Sequence, residues 1–127
     1  VQLGLGYLRL GQMSMSLSGG EAQRIKLARA LGVPSHGKNL YILDEPTSGL
    51  SDIDIERFMK VLFSLQEKGD TILAIEHNVE FIAAVSDYII DFGLAGGEAG
   101  GTIVSQGLPT TVFADASSSL HGLDSMV

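Results

Sequence analysis

The sequence LSGGEAQR, residues 17–24, places a serine and two glycines at the expected start of a helix. Ser18 is a suitable N-cap, and Glu21, three residues later, completes a capping-box pattern. The first turn of a helix presents unpaired N–H groups and the positive end of the helix dipole. The glycines allow the backbone to approach a bound group closely. These properties predict a phosphate-binding cap, and an ordinary capped helix is the alternative from these residues alone.

Strand and helix patterns alternate along the rest of the chain. The first helix is expected to end near Leu31, because Gly32 and Pro34 follow it. Further elements are predicted as strands at residues 40–43, 71–75, 88–91 and 102–105 and helices at 52–67, 79–85 and from 109 onward. This alternation predicts an α/β domain with a largely parallel sheet and flanking helices. Disorder is expected only around residues 116–120, where serines cluster.

Polar side chains follow two of the predicted strands. The sequence LYILDEP, residues 40–46, is an apolar strand that ends in Asp44 and Glu45. The strand at residues 71–75 is followed by EHN, residues 76–78. Ligands bind at the carboxyl ends of strands in parallel sheets, so both sets are candidates for a site. From these residues alone, a solvated acidic turn and a structural histidine are the alternatives.

The order of these motifs resembles that of ABC-type ATPases. LSGGEAQR resembles the signature motif, LYILDEP the Walker B strand, TSGLS at residues 47–51 the D-loop, and His77 the switch histidine. The D-loop of the family usually ends in aspartate, and here Ser51 stands at that place with Asp52 beside it. The resemblance implies the C-terminal part of an ABC-type, P-loop NTPase-like nucleotide-binding domain.

The resemblance also implies roles for particular residues. Asp44 would hold Mg²⁺, through water because Mg²⁺ keeps much of its hydration. Glu45 would be the general base that polarises the attacking water, and His77 would contact the γ-phosphate of ATP. The signature residues would act in trans on the nucleotide of another ABC module, and these are Ser18, Gly19, Gly20 and Gln23.

A complete P-loop is missing from the sequence. GVPSHGKN, residues 32–39, nearly fits the pattern, but Asn39 replaces the hydroxyl residue that would bind Mg²⁺. The stretch also follows a helix, whereas a P-loop follows a strand, so it is interpreted as a plain loop. The P-loop is therefore expected upstream of Val1. Without it, the chain alone is predicted neither to bind ATP tightly nor to hydrolyse it.

Three further stretches resemble the UvrA-like branch of the ABC ATPases, which recognises DNA damage in nucleotide excision repair. They are GLGYLRLGQ at residues 4–12, EHN at 76–78 and DYIIDFGLAGGEAGGTIVSQG at 87–107. Transporter ATPases usually carry Thr or Ser before the switch histidine and Asp after it. The resemblance covers about residues 3–108 and predicts a partial ABC ATPase domain at 1–113 with a C-terminal tail at 114–127.

The UvrA resemblance implies ATP and Mg²⁺ as cofactors and a second ABC module, in a homodimer, as a partner. Damaged DNA and excinuclease partner subunits would be met through regions outside this chain. The net charge of −7 agrees, because such a surface repels phosphate backbones on average. The absence of cysteine excludes disulfides and cysteine-ligated zinc from this chain. No apolar run reaches the roughly 18 residues of a membrane span, and a cytoplasmic location is expected.

Two other hypotheses remain open at this point. The chain could come from a transporter or an SMC-like ABC ATPase, or it could be a non-catalytic module that only binds another ABC half. The sequence upstream of Val1 would separate them. A P-loop followed by paired CxxC modules favours the UvrA-like protein, heptad repeats favour an SMC-like protein, and a true start at Val1 favours the interaction module.

Overall fold

The computed structural model describes Ala22, Ile25, residues 38–93 and residues 101–123. Ala22 and Ile25 are helical, in agreement with the helix predicted over residues 19–31, and the remainder of that helix lies outside the described residues. The chain divides into two compact units, with the boundary between His77 and Asn78. No helix that the structure describes combines the length and the apolarity required to cross a membrane.

The first unit is a βαβ arrangement. Strand β1, Leu40–Asp44, pairs in parallel with strand β2, Thr71–Ile75, and helix α1, Asp52–Glu67, connects them. The register places Leu40 opposite Thr71 and Asp44 opposite Ile75. Parallel strands need a long connection of this kind, because the chain must return to the same end of the sheet. The prediction of alternating strands and helices is confirmed in this unit.

Helix α1 has clear sequence signals at both ends. Ser51 caps it by accepting a hydrogen bond at its Oγ from the Asp54 N–H, at 3.3 Å. The helix then buries one stripe of large apolar side chains, which are Phe58, Val61, Leu62 and Leu65. Gly69 adopts φ +83° in the turn after the helix, a conformation that side chains rarely tolerate. The cap and the glycine explain why the predicted bounds of this helix agree with the structure.

A buried aspartate ties together the beginnings of β1 and β2. Asp70 is 8% exposed, and its Oδ1 accepts hydrogen bonds from the Asn39 backbone N–H at 2.8 Å and the Asn39 Nδ2 at 3.0 Å. The Thr71 N–H donates to the Asn39 carbonyl at 2.8 Å. Asn39, the residue that breaks the P-loop pattern, therefore aligns the two strand starts.

The second unit is an antiparallel hairpin with two short helices. Its elements are helix α2, Val79–Val85, strand β3, Ile89–Phe92, strand β4, Ile103–Gly107, and helix α3, Pro109–Ala114. Ile89 lies opposite Gly107, and the register shifts between Asp91 and Phe92. The connection between the strands is too short for the crossover of a dozen or more residues that parallel strands need. The α/β class is confirmed, whereas of the two described strand pairs only the first is parallel.

One apolar cluster holds the second unit together. Its buried members are Ala83, Ile89, Val112, Phe113 and Leu120, and Val79, Ile82 and Leu123 pack against them. Asn78 caps α2 by accepting the Phe81 N–H at its Oδ1, at 3.0 Å. Helices of six or seven residues have little intrinsic stability, so packing of this cluster is what maintains them.

The serine cluster near the end of the chain is ordered, contrary to the expectation of disorder around residues 116–120. Asp91 is 8% exposed, and its Oδ2 accepts the Ser118 hydroxyl at 2.7 Å and the Ser119 N–H at 2.8 Å. Asp115 accepts the hydroxyls of Ser105, at 2.7 Å, and Ser117, at 2.6 Å. Serines are polar, but here two carboxylates of the same unit accept their hydrogen bonds and fix the turn.

Replacing Asp91 with alanine is expected to destabilise the chain by about 1–3 kcal/mol, because the buried Ser118 hydroxyl and the Ser119 N–H would lose their acceptor. Urea denaturation followed by circular dichroism measures the change in the free energy of unfolding. Asp91→Asn keeps one acceptor oxygen and should cost less. Glu56→Ala, at an exposed position of α1, is the control and should stay within about 0.5 kcal/mol. Equal stability of Asp91→Ala and wild type would contradict this account.

The Asp115 interactions also predict a dependence of stability on pH. Hydrogen bonds from the side chains of Ser117 and Ser105 lower the pKa of Asp115 to about 2. Since the folded-state pKa lies below the unfolded one, this stabilisation is present above the unfolded pKa and is lost as the pH falls through about 2.

The urea midpoints of wild type and Asp115→Asn should therefore differ most at pH 5 to 7, and the difference should shrink as the pH falls from about 4 towards 2. Other carboxylates titrate in both proteins, so the difference between the two curves isolates Asp115. A difference that stays constant with pH would show that the hydrogen bonds of Asp115 do not favour its charged form.

Candidate functional site

The parallel pairing of β1 and β2 brings the predicted catalytic residues to one edge of the first unit. Asp44 is the last residue of β1, and Glu45 follows it. Glu76 and His77 follow the last residue of β2. The Glu45 N–H donates to the Ile75 carbonyl at 2.8 Å, so the pairing continues one residue beyond β1. Residues that are about thirty positions apart in the sequence therefore share one sheet edge.

Glu45 and His77 face each other across this edge. The Glu45 Oε1 lies 3.9 Å from the His77 Nδ1, and their side chains are 56% and 78% exposed. The separation is longer than a hydrogen bond. An ion pair at this exposure contributes little to stability. The carboxylate and the imidazole are thus accessible and close together, and no hydrogen bond joins them. Both can therefore contact a third group.

The backbone at Glu45 is in an unusual conformation. Its φ is +42°, and among the described residues no other non-glycine residue has a positive φ. The turn that follows is stabilised by the Ser48 N–H donating to the Glu45 carbonyl, at 3.0 Å, and by the Leu50 N–H donating to the Thr47 carbonyl, at 3.1 Å. The positive-φ conformation of a residue other than glycine costs of order 1–3 kcal/mol, and residues with such strained backbones cluster at functional sites. The conformation directs the chain sharply away from β1 immediately after Asp44.

Glu76 takes part in the site although the sequence analysis assigned it no role. Its Oε1 accepts hydrogen bonds from the Thr47 N–H at 2.7 Å and the Thr47 hydroxyl at 2.6 Å. Its Oε2 accepts the His77 N–H at 3.0 Å. In the sequence, Glu76 is a third carboxylate at the predicted sheet edge, and Thr47 follows the other strand at that edge. This pattern could have indicated a contact between them. The partners of Glu76 could not be identified before the register was known.

Ser51 stands where the D-loop pattern of the family usually has aspartate, and it is the N-cap of α1. Serine and aspartate are both good helix caps, because each has a side-chain oxygen that can accept an N–H of the first turn. The exchange therefore leaves this local function intact.

Ser18, Gly19, Gly20 and Gln23 lie outside the described residues, as does most of the P-loop-like stretch.

The described residues contain no group of three or more His, Cys, Asp or Glu side chains placed to hold a metal ion. Mg²⁺ is commonly bound through one or two carboxylates together with waters and phosphate oxygens. Asp44 is exposed at the strand end, where it can supply one such carboxylate. The residues present fit a Mg²⁺ ion that a bound phosphate helps to coordinate.

Comparison with known proteins gives a consistent result. No protein-family model matches the chain. The chain is 57% identical over 112 residues to the UvrABC system protein A of Halalkalibacterium halodurans, which covers 88% of the chain and 12% of that relative. It is 55% identical over 118 residues to the protein of the same name from Staphylococcus aureus, which covers 93% of the chain and 12% of the relative.

Among solved structures, the fold matches the crystal structure of UvrA2 from Deinococcus radiodurans with a TM-score of 0.79 and 48% sequence identity. The match covers 93% of this chain and 14% of that one. Sequence and fold therefore agree on the class: the chain is similar to a component of the UvrABC system. That component is protein A, and the predicted UvrA resemblance is confirmed. The chain spans 12% of the length of these curated relatives.

Proposed function

We propose that the chain is the C-terminal part of an ABC-type, P-loop NTPase-like nucleotide-binding domain in a UvrA-type ATPase of nucleotide excision repair. The observation that carries this proposal is the 3.9 Å approach of Glu45 and His77 at the carboxyl ends of parallel strands. The similarity to UvrABC system protein A supports it, and it favours this hypothesis over a transporter or an SMC-like ATPase.

In the proposed reaction, Glu45 accepts a hydrogen bond from the water that attacks the γ-phosphate of ATP and polarises it as general base. His77, whose Nδ1 lies 3.9 Å from the Glu45 Oε1, donates a hydrogen bond to a γ-phosphate oxygen. Both side chains are exposed at the strand ends, so a nucleotide held at this edge can reach them. Asp44 would hold Mg²⁺ through water, and the ion, when bound, would neutralise part of the phosphate charge.

The signature residues act on a different nucleotide from Glu45 and His77 in this proposal. The helix predicted to begin after Ser18 would present its N–H groups to the phosphates held by another ABC module, and Gln23 would act on the same nucleotide. A second module, in the same chain or in the second chain of a homodimer, is therefore needed to complete each site. Damaged DNA and the excinuclease partner subunits bind elsewhere on the full-length protein, in agreement with the net charge of −7 here.

The proposed domain covers residues 1–113, and residues 114–127 form the C-terminal tail. Asp115, which accepts the Ser105 hydroxyl, and the turn at residues 117–119, which donates to Val104 and Asp91, attach the described part of this tail to β3 and β4. A cytoplasmic location also belongs to this proposal, because the DNA of a bacterial repair system lies in that compartment.

Glu45→Gln is expected to lower the kcat for ATP by about 10²–10⁴-fold in a full-length UvrA-type protein that contains this chain, because glutamine cannot accept the proton. Nucleotide binding should persist. Steady-state hydrolysis with and without DNA, together with equilibrium nucleotide binding, measures both quantities. Glu56→Gln, on the exposed face of α1, is the matched control and should hydrolyse ATP like wild type. Normal turnover by Glu45→Gln would overturn the assignment of the catalytic carboxylate.

The 127-residue chain by itself is expected to bind ATP weakly and not to hydrolyse it, because it lacks the backbone nest and the lysine that hold the phosphates. Isothermal titration calorimetry with Mg²⁺-ATP measures the affinity. The control is the full-length protein under the same conditions, which should bind. Micromolar affinity of the isolated chain would contradict this prediction.

A further inference from the structure

Glu76 connects the two loops that carry the proposed catalytic groups. One oxygen of its carboxylate holds Thr47, in the loop after β1, through both the backbone N–H and the hydroxyl. The other oxygen holds the backbone N–H of His77, in the loop after β2. The two hydrogen bonds from Thr47 therefore join the loops after β1 and β2, and the bond from the adjacent His77 N–H fixes the Glu76 carboxylate within its own loop.

The bonds from Thr47 are of the stronger kind. At 2.6 and 2.7 Å they have the length of charge-assisted hydrogen bonds, which are roughly twice as strong as neutral ones. Thr47 is 7% exposed, so its N–H and hydroxyl would lose their acceptor in a place that water enters poorly if Glu76 were removed. These hydrogen bonds of the Glu76 carboxylate to Thr47 and to the His77 N–H, which we call the clamp, are thus more than a solvent-exposed contact.

The clamp also encloses Glu45. On the side of β1, the Glu45 N–H is bonded to the Ile75 carbonyl, and two residues later Thr47 is bonded to Glu76. The chain at Glu45 is therefore held by hydrogen bonds at Glu45 itself and at Thr47, and the acceptors of both, Ile75 and Glu76, lie at the end of β2. A residue with φ +42° needs such support, because its backbone does not favour this conformation by itself.

We propose that Glu76 is a positioning residue for ATP hydrolysis: by binding Thr47 in the loop after β1 and the N–H of the adjacent His77, its carboxylate sets the separation and orientation of the Glu45 and His77 side chains. The proposal rests on the proposed function, since it assigns these two side chains to the reaction. Glu76 itself does not contact the reacting atoms. A displacement of about 1 Å in a catalytic group can reduce a rate by about a hundredfold, so loss of the clamp should act on turnover more than on nucleotide binding.

The test uses the full-length UvrA-type protein that contains this chain, with Mg²⁺-ATP as the probe. The kcat is expressed per nucleotide site, titrated with a fluorescent ADP analogue, so that a loss of folded protein does not count as a loss of rate. Glu76→Ala should lower the kcat by about 10–100-fold and change the KM for ATP by less than about threefold. Glu76→Gln retains one acceptor oxygen and should fall between Glu76→Ala and wild type.

Thr47→Val removes only the hydroxyl bond and preserves the shape of the side chain. It should lower the kcat by about threefold, and the double variant Thr47→Val with Glu76→Ala should be no slower than Glu76→Ala alone, because both act through one contact. Glu56→Ala is the charge-matched control. The proposal would be overturned if Glu76→Ala had the same kcat per site as wild type. It would also be overturned if the fold-reductions in kcat of Thr47→Val and Glu76→Ala multiplied in the double variant.

A purely structural role for Glu76 gives a different result. Glu76→Ala would then lower the melting temperature and the number of nucleotide sites that bind the ADP analogue, while the kcat of each remaining site would stay unchanged. This result too would overturn the proposal. The failure of the proposed function is distinguishable, because Glu45→Gln would then hydrolyse ATP like wild type. An inactive Glu45→Gln beside a fully active Glu76→Ala would overturn the clamp alone.

Discussion

The parallel pairing of β1 with β2 is the constraint on which the candidate site depends. Hydrogen bonds outside the strands fix this pairing at both ends: Asp70 binds Asn39 where the strands begin, and the Glu45 N–H binds the Ile75 carbonyl where they finish. A slip of one residue would move every side chain of a strand to the opposite face. The register therefore determines which polar side chains meet at the carboxyl edge, and Glu45 and His77 approach each other because of it.

In both compact units a carboxylate fixes a loop by accepting its hydrogen bonds. In each of them a buried or half-buried carboxylate binds backbone N–H groups and hydroxyls of a distant loop, as Glu76 does for Thr47 and Asp91 does for Ser118 and Ser119. Such bonds fix loops that contribute little apolar surface to a core. In the first unit the loops that are fixed carry the proposed catalytic groups, and in the second unit the fixed loop belongs to the C-terminal tail.

Much of the local structure could be predicted from particular residues. Ser51 and Asn78 have the side chains that cap helices, Gly69 permits the turn after α1, and Pro109 suits the first turn of a helix. The strands β3 and β4 begin one residue later than predicted, because alternation of apolar residues locates a strand but does not fix its ends. The prediction of disorder in the serine cluster is wrong, because composition alone does not show that Asp91 and Asp115, which are distant in part from the serines along the chain, accept their hydrogen bonds.

The sequence by itself determined the succession of helices and strands, the resemblance to UvrA and the presence of Asp44, Glu45 and His77 at strand ends. Caps, turns and apolar periodicity act over a few residues, so a linear pattern contains them. Only the tertiary structure decided that Glu45 lies 3.9 Å from His77 and that Glu76 binds Thr47, 29 residues away in the chain. Those contacts follow from strand register and from a backbone at Glu45 with a positive φ, and no local pattern of residues specifies either of them.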